Sequence, residues 1–271
     1  MPDNAGMSLP RLIATDLDGT LLDAEGALSP RTRRALRLVS EAGADVVFVT
    51  ARPPRSIASL AEEAGVGGTA ICSNGAIVYD LDARASVRVS ALEREAARQV
   101  AETLSEALPG LAFAIETGSG VLFEPGYGKQ IPQDAPYRTQ VESVWTREEP
   151  VVKLLAWSAE QHADEMFTAA TAALDGQAEI TYSGSSGLLE ISAAGVTKAG
   201  ALAELCAERG IQPEDVVAFG DMPNDLAVLT YAGAGYAMAN SHHTVLAAVE
   251  RRTLSNDEDG VAVVLERYFT P

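Results

Sequence analysis

Leu12-Ile13-Ala14-Thr15-Asp16-Leu17-Asp18-Gly19-Thr20 lies near the start of the chain. Its first four residues form a short apolar run ending at an Asp-rich turn, the pattern of a buried strand. In open parallel sheets, ligands bind beyond the carboxyl ends of the strands. Two carboxylates one residue apart at that place suit a hard cation. Side-chain alternation turns Asp16 and Asp18 in different directions, so they need not do the same job. One can attack an electrophile while the other handles a proton. Gly19 lets the chain turn sharply over the site. The spacing is not that of an EF-hand, because no bidentate Glu follows where that loop needs one.

Working outward, Ser29-Pro30 opens a helix, with Ser as cap and Pro in the first turn, and Gly43 follows its end. Val46–Val49 reads as a second buried strand. Pro54–Ala64 reads as a helix stopped by Gly65, and Ala70–Cys72 as a strand entering Ser73-Asn74-Gly75. Strand, helix, strand, helix, strand implies right-handed crossovers and a parallel sheet. The middle breaks this alternation. A helix is expected over Leu92–Leu108, a hairpin over Ala112–Ile115 and Val121–Phe123, and a strand over Val151–Trp157. A helix over Ala159–Leu174 and strands near Glu179–Tyr182 and Leu188–Ile191 follow, with Gly126–Arg147 an irregular connection. From Thr197 the alternation resumes. The expected fold is α/β: a Rossmann-like parallel-sheet core built from residues 1–84 and 190–271, with an α+β cap, 85–189, inserted as one excursion.

The chain has 271 residues, enough for two modest domains. Its 38 Asp+Glu outnumber 20 Lys+Arg, a formal −18. Such a surface repels polyanions, so nucleic acid is a poor partner. Two cysteines, Cys72 and Cys206, exclude a disulfide framework and a Cys-rich zinc site. No stretch reaches the length of a membrane span and no signal peptide is visible, so a cytoplasmic protein is expected.

Three more motifs fall at strand ends or at the helix starts that follow. Thr50 and Arg52 lie in Val49-Thr50-Ala51-Arg52. Lys198 is one of only three lysines, with Lys129 and Lys153, and stands in the first turn of a helix, where the dipole disfavours it. A carboxylate cluster or a bound anion would favour it there. Asp221 and Asp225 lie in Gly220-Asp221-Met222-Pro223-Asn224-Asp225. Elsewhere, His242-His243 is expected to be a solvated helix start, the two cysteines small buried hydrophobes, and Arg31, Arg33, Arg34 and Arg37 a solvated helix face.

DLDGT at 16–20, VTAR at 49–52, SNGA at 73–76, GVTKAGAL at 195–202, GDMPND at 220–225, AMAN at 237–240 and SNDEDGVA at 255–262 follow one another in order. In this the chain resembles the haloacid-dehalogenase-superfamily phosphatases of the Cof type, with a class IIB cap. The resemblance implies a Mg²⁺-dependent phosphatase acting on small phosphorylated metabolites, sugar phosphates in particular. Asp16 would be the nucleophile that forms an aspartyl-phosphate, and Asp18 the acid and base. Thr50, Lys198 and Asn224 would hold the phosphoryl group. Asp16, Asp18 through its carbonyl, Asp221 and the supporting Asp225 would hold Mg²⁺. Arg52, Asn74 and Gly75 would lie near the substrate or the cap interface. A phosphomutase of the phosphomannomutase type and a non-catalytic metabolite-binding protein are the rival expectations. A monomer or weak homodimer is expected.

Overall fold

The computed structural model describes residues 9–184 and 186–270. Its first layer is a parallel sheet of β1 (Leu12–Thr15), β2 (Asp45–Phe48), β12 (Val216–Gly220) and β13 (Ala234–Ala237), in the order β13-β12-β1-β2. The two central strands, β1 and β12, are buried on both faces, which is why each reads as an unbroken apolar run. In β1, Ile13 packs with α1 (Pro30–Glu41) and α8 (Gly260–Phe269), while Leu12 and Ala14 pack with α5 (Lys198–Glu208) and α6 (Leu226–Tyr231). Ser29 caps α1 by accepting the Thr32 N–H, as expected.

The Ala70–Cys72 strand is present as β3 (Thr69–Cys72). It meets the parallel sheet at one bridge, Val49 to Ile71, where the Thr50 N–H also donates to the Ile71 carbonyl. Its main pairing is antiparallel, with β4 (Ile77–Asp80) and then β5 (Ala85–Val89). That hairpin has no clear alternation in the sequence.

A six-stranded sheet forms the second layer, in the order β10-β11-β9-β6-β7-β8. Its strands are β6 (Ala112–Glu116), β7 (Val121–Phe123), β8 (Arg138–Gln140), β9 (Lys153–His162), β10 (Ala178–Thr181) and β11 (Ser186–Ala193). Neighbours are antiparallel except β7 and β8. One face carries Phe113, Ile115, Leu154, Ala156 and Ile191 against α3 (Arg94–Ala107) and α4 (Ala163–Leu174). The other face, by the two-residue period of strands, carries Ala114, Glu116, Lys153, Leu155, Leu188 and Glu190.

The helix expected from Ala159 begins at Ala163. Residues 159–162 continue β9, and the His162 side chain accepts the Asp164 N–H as the helix cap. Gly187 allows this extension. A Cβ there would lie 2.3 Å from the Gln161 carbonyl oxygen, so only glycine lets β11 press against the end of β9.

Ser73, Asn74 and Gly75 all have positive φ, at 51°, 58° and 98°. This left-handed run packs against the start of α5, where a Cβ on Gly75 would stand 2.2 Å from the Thr197 carbonyl oxygen. Gly75→Ala should therefore cost ~1–3 kcal/mol from backbone strain, plus the clash, measured as a lowered urea midpoint. An unchanged midpoint would show that the turn relaxes freely.

Candidate active site

The turn after β1 does what its sequence demands. Asp16 closes the strand, its N–H donating to the Phe219 carbonyl on β12. Gly19 follows with φ 75°, and a Cβ there would lie 2.4 Å from an Asp221 carboxylate oxygen. Thr20 donates its hydroxyl to the other oxygen of that carboxylate at 2.8 Å. The first and fourth motifs are thus held in contact by a glycine and a hydroxyl.

Lys198 settles the puzzle of a cation in a first helical turn. It is fully buried, and its Nζ donates to Asp16 Oδ1 at 2.8 Å and to Asp225 Oδ1 at 2.7 Å. The other Asp225 oxygen accepts the backbone N–H groups of Asp221 and Met222 at 3.0 Å each. Asp16, Asp221 and Asp225 each offer an oxygen within 4.8 Å of the others. Two of the three buried carboxylates thus share one ammonium, and Asp221 lies beside them.

Burial pushes the Asp16 carboxyl well above its usual range despite Lys198, with Asp225 and Asp221 adding to the rise. Burial, then Asp225, pushes Asp221 up to about 7. Burial alone would lower Lys198, but Asp16 and Asp225 outweigh it and raise it. The cluster is short of positive charge and all its donors are hard oxygens, which fits a divalent cation such as Mg²⁺ held by Asp16 and Asp221 with Asp225 beside them.

Asp18 lies apart from this cluster. Its side chain is 57% exposed and is clamped by Arg52, with Nε 2.7 Å from Oδ2 and Nη2 2.5 Å from Oδ1. A metal role for Asp18 would have to use its carbonyl. Thr50 is buried and accepts the Arg52 N–H on its Oγ1, which leaves the hydroxyl hydrogen to donate. Asn74 reaches across to the second layer, its Nδ2 donating to Thr181 Oγ1 at 3.0 Å and to Glu190 Oε2 at 3.1 Å. Asn224 donates Nδ2 to Asn74 Oδ1 at 3.1 Å.

Asp16, Asp18 and Arg52 line one end of a cavity of about 360 Å³. The second layer roofs it with groups that sequence reasoning missed. Lys153 donates to Glu190 and, at 2.9 Å, to the Ala51 carbonyl. Arg55 pairs with both oxygens of Glu116 at 2.7 Å and with Asp134 at 2.9 Å. All five of these side chains are nearly buried. Their signal was a single charge inside an apolar run: Lys153 in VVKLLAW, Glu190 in LLEIS, Glu116 after AFAI. Buried charges of that kind need partners.

His242 corrects the expectation of a solvated pair. It caps α7 (His243–Ala248), but its side chain is only 16% exposed and stands edge-on to Tyr182, with Nε2 3.4 Å from Asp164 on α4. His243 is exposed, Cys72 and Cys206 are buried free thiols, and Arg31 pairs with Glu266.

Comparison with known proteins agrees with this geometry. Residues 13–265 match the haloacid dehalogenase-like hydrolase family. The chain belongs to that family. It is a phosphoric monoester hydrolase, the enzyme class of the relatives that follow. It is 29% identical to the 5-amino-6-(5-phospho-D-ribitylamino)uracil phosphatase YitU of Bacillus subtilis, covering 96% of this chain and 98% of the relative. It is also 29% identical to the pyridoxal phosphate phosphatase YbhA of Escherichia coli, covering 93% and 96%. Among solved structures, SMU.1108c from Streptococcus mutans matches with a TM-score of 0.85 and 26% identity, over 97% of this chain and 100% of that one. Among the described residues, no helix is long and apolar enough to cross a membrane.

Three outcomes are expected. Arg55→Met leaves Glu116 and Asp134 buried without their cation and should destabilise the protein by about 3–5 kcal/mol, read from denaturant unfolding. The raised Asp16 and Asp221 bind protons more tightly folded than unfolded. Metal-free protein should therefore lose stability as pH rises from the ordinary carboxylate range, about 4, through about 7. Millimolar Mg²⁺ should raise the thermal midpoint more at pH ~8 than at pH ~5, where protons compete for the same oxygens. Equal shifts at both values would remove the cluster as the metal site.

Proposed function

We propose that this hydrolase is a Mg²⁺-dependent phosphatase of small phosphomonoesters that works through an aspartyl-phosphate. The observation that carries this is a buried carboxylate at the end of β1, held by Lys198 beneath a roofed cavity. Asp16 attacks phosphorus as the bond from phosphorus to the leaving oxygen breaks. Asp18, once released from Arg52, gives the leaving oxygen a proton. It then takes a proton from the water that attacks the same phosphorus, which frees phosphate and returns Asp16. Lys198 and the Thr50 hydroxyl supply positive charge and a donor to the phosphoryl oxygens. A divalent ion on Asp16, Asp221 and the Asp18 carbonyl, when bound, cancels repulsion between nucleophile and phosphate.

The roof excludes bulk water, which strengthens each of these interactions. We place the crossings between the layers where the chain leaves one sheet for another, near 90–92 and 194–197. Sugar phosphates and the ribityl and pyridoxal phosphates of the named relatives are the substrates to try first.

A panel of phosphorylated metabolites assayed with and without Mg²⁺ tests the reading. Inorganic phosphate should appear only with the metal, and an isomerised phosphate instead would indicate a mutase. Asp16→Asn should abolish hydrolysis of p-nitrophenyl phosphate in a folded protein, and retained turnover would rule it out as nucleophile. Asp18→Asn should lose about 10²–10⁴-fold on alkyl phosphates. The loss on p-nitrophenyl phosphate should be smaller, because that leaving group departs without a proton.

A further inference from the structure

Neither AMAN at 237–240 nor SNDEDGVA at 255–262 supplies a described residue to the cavity lining. Both motifs are aimed instead at the turn that carries Asp18. Asn240 Nδ2 donates to the Gly19 carbonyl at 2.8 Å, and Asn240 Oδ1 accepts the Asn256 N–H at 3.0 Å. Both partners are backbone groups, one that only accepts and one that only donates, so the amide has a single orientation. Asn256 Nδ2 then donates to the Leu22 carbonyl at 2.9 Å, and Asp257 Oδ1 accepts the Ala24 N–H at 2.8 Å.

The holding residues are themselves held. His242 donates its N–H to the Asp221 carbonyl at 2.8 Å, and Ser241 its N–H to the Met238 carbonyl at 3.0 Å. Ser255 and Glu258 close a capping box across the second motif. Gly260 lets that loop fold tightly, because a Cβ there would lie 2.1 Å from the Leu254 carbonyl oxygen.

Gly19 needs such a grip. Its positive φ and the Asp221 carboxylate against its Cβ position demand glycine. Glycine is also the least restrained residue in a chain, and here it directly follows Asp18. A carbonyl left to water keeps a hydrogen bond but not a direction. Fixing the Gly19 carbonyl fixes the torsions beside Asp18, and with them the stem of its side chain. That stem is the pivot of the reaction. The carboxylate is clamped by Arg52 here and has to swing to the leaving oxygen.

We propose that Asn240 is a positioning residue: through the Gly19 carbonyl it sets the reach of Asp18 for proton transfer to and from the substrate. This rests on the phosphatase reading above. Asn240 is exposed and stands outside the cavity lining, so it acts through the turn and not on the substrate. In Asn240→Asp the carboxylate still accepts the Asn256 N–H and loses only the donor to Gly19.

The test compares benzyl phosphate with p-nitrophenyl phosphate at saturating Mg²⁺. The benzyl alkoxide leaves slowly without a proton, whereas nitrophenolate departs without one. Asn240→Asp and Asn240→Ala should each lower kcat on benzyl phosphate at least about tenfold, since small misplacements of a reacting group are costly. Losses on p-nitrophenyl phosphate should stay below about threefold, with KM little changed for both. In an Asp18→Asn background, Asn240→Asp should add no further loss on benzyl phosphate, because the group it positions is gone. Urea midpoints close to wild type are expected of an exposed residue. Unchanged kcat on benzyl phosphate, equal losses on both substrates, or a full additional loss in the double variant overturns the inference alone. So does a wild-type protein that hydrolyses p-nitrophenyl phosphate but not benzyl phosphate, since Asp18 then supplies no acid. No turnover of either substrate overturns the phosphatase reading and this inference with it.

Discussion

A single ammonium, Lys198, stands among three buried carboxylates. An unpaired buried charge is one of the most expensive things a fold can hold, so the surroundings are arranged to keep this one paired. The left-handed turn at 73–75 packs on the first residues of α5 and fixes where that helix starts. Gly19 and Thr20 bring the first turn against Asp221. Two backbone N–H groups hold the far side of Asp225. Even so the carboxylates outnumber the ammonium, and such a cluster could hold a divalent cation as well as a salt bridge.

Much of this was legible in the sequence because core and site share one cause. Strands buried on both faces read as apolar runs, and the candidate site sits where those runs stop: Asp16, Thr50 and Asp221 could each be placed by that rule. Lys198 was legible as a violation, a cation where the helix dipole opposes it. What stayed hidden was pairing at long range. Arg55 and Asp134 are ordinary charges until register and closure bring them together beside Glu116. The α4 boundary failed for a similar reason, since the end of β9 depends on contact with Gly187 in a later strand. The expectation of a solvated His242 failed because Asp164 and Tyr182 arrive from another layer.

The upper sheet is two-faced in a way that composition conceals. One face is a conventional core under α3 and α4. The other mixes aliphatic residues with Glu116, Lys153 and Glu190, so it can neither collapse on itself nor remain indifferent to what lies below. Its polar groups find partners in Ala51, Arg55 and Asn74. Hydrogen bonds and ion pairs give this contact a definite register, where an apolar contact would slide.

Arg88, on the strand by which the chain leaves the lower layer, pairs at 2.7 Å with Glu204 in the helix that follows its return. Departure and return are therefore neighbours. A segment anchored at two adjacent points behaves as a cassette: its length and shape can be exchanged by insertion or recombination while the scaffold below keeps its connectivity. Variety among such enzymes can then accumulate overhead, with the buried carboxylate cluster left untouched.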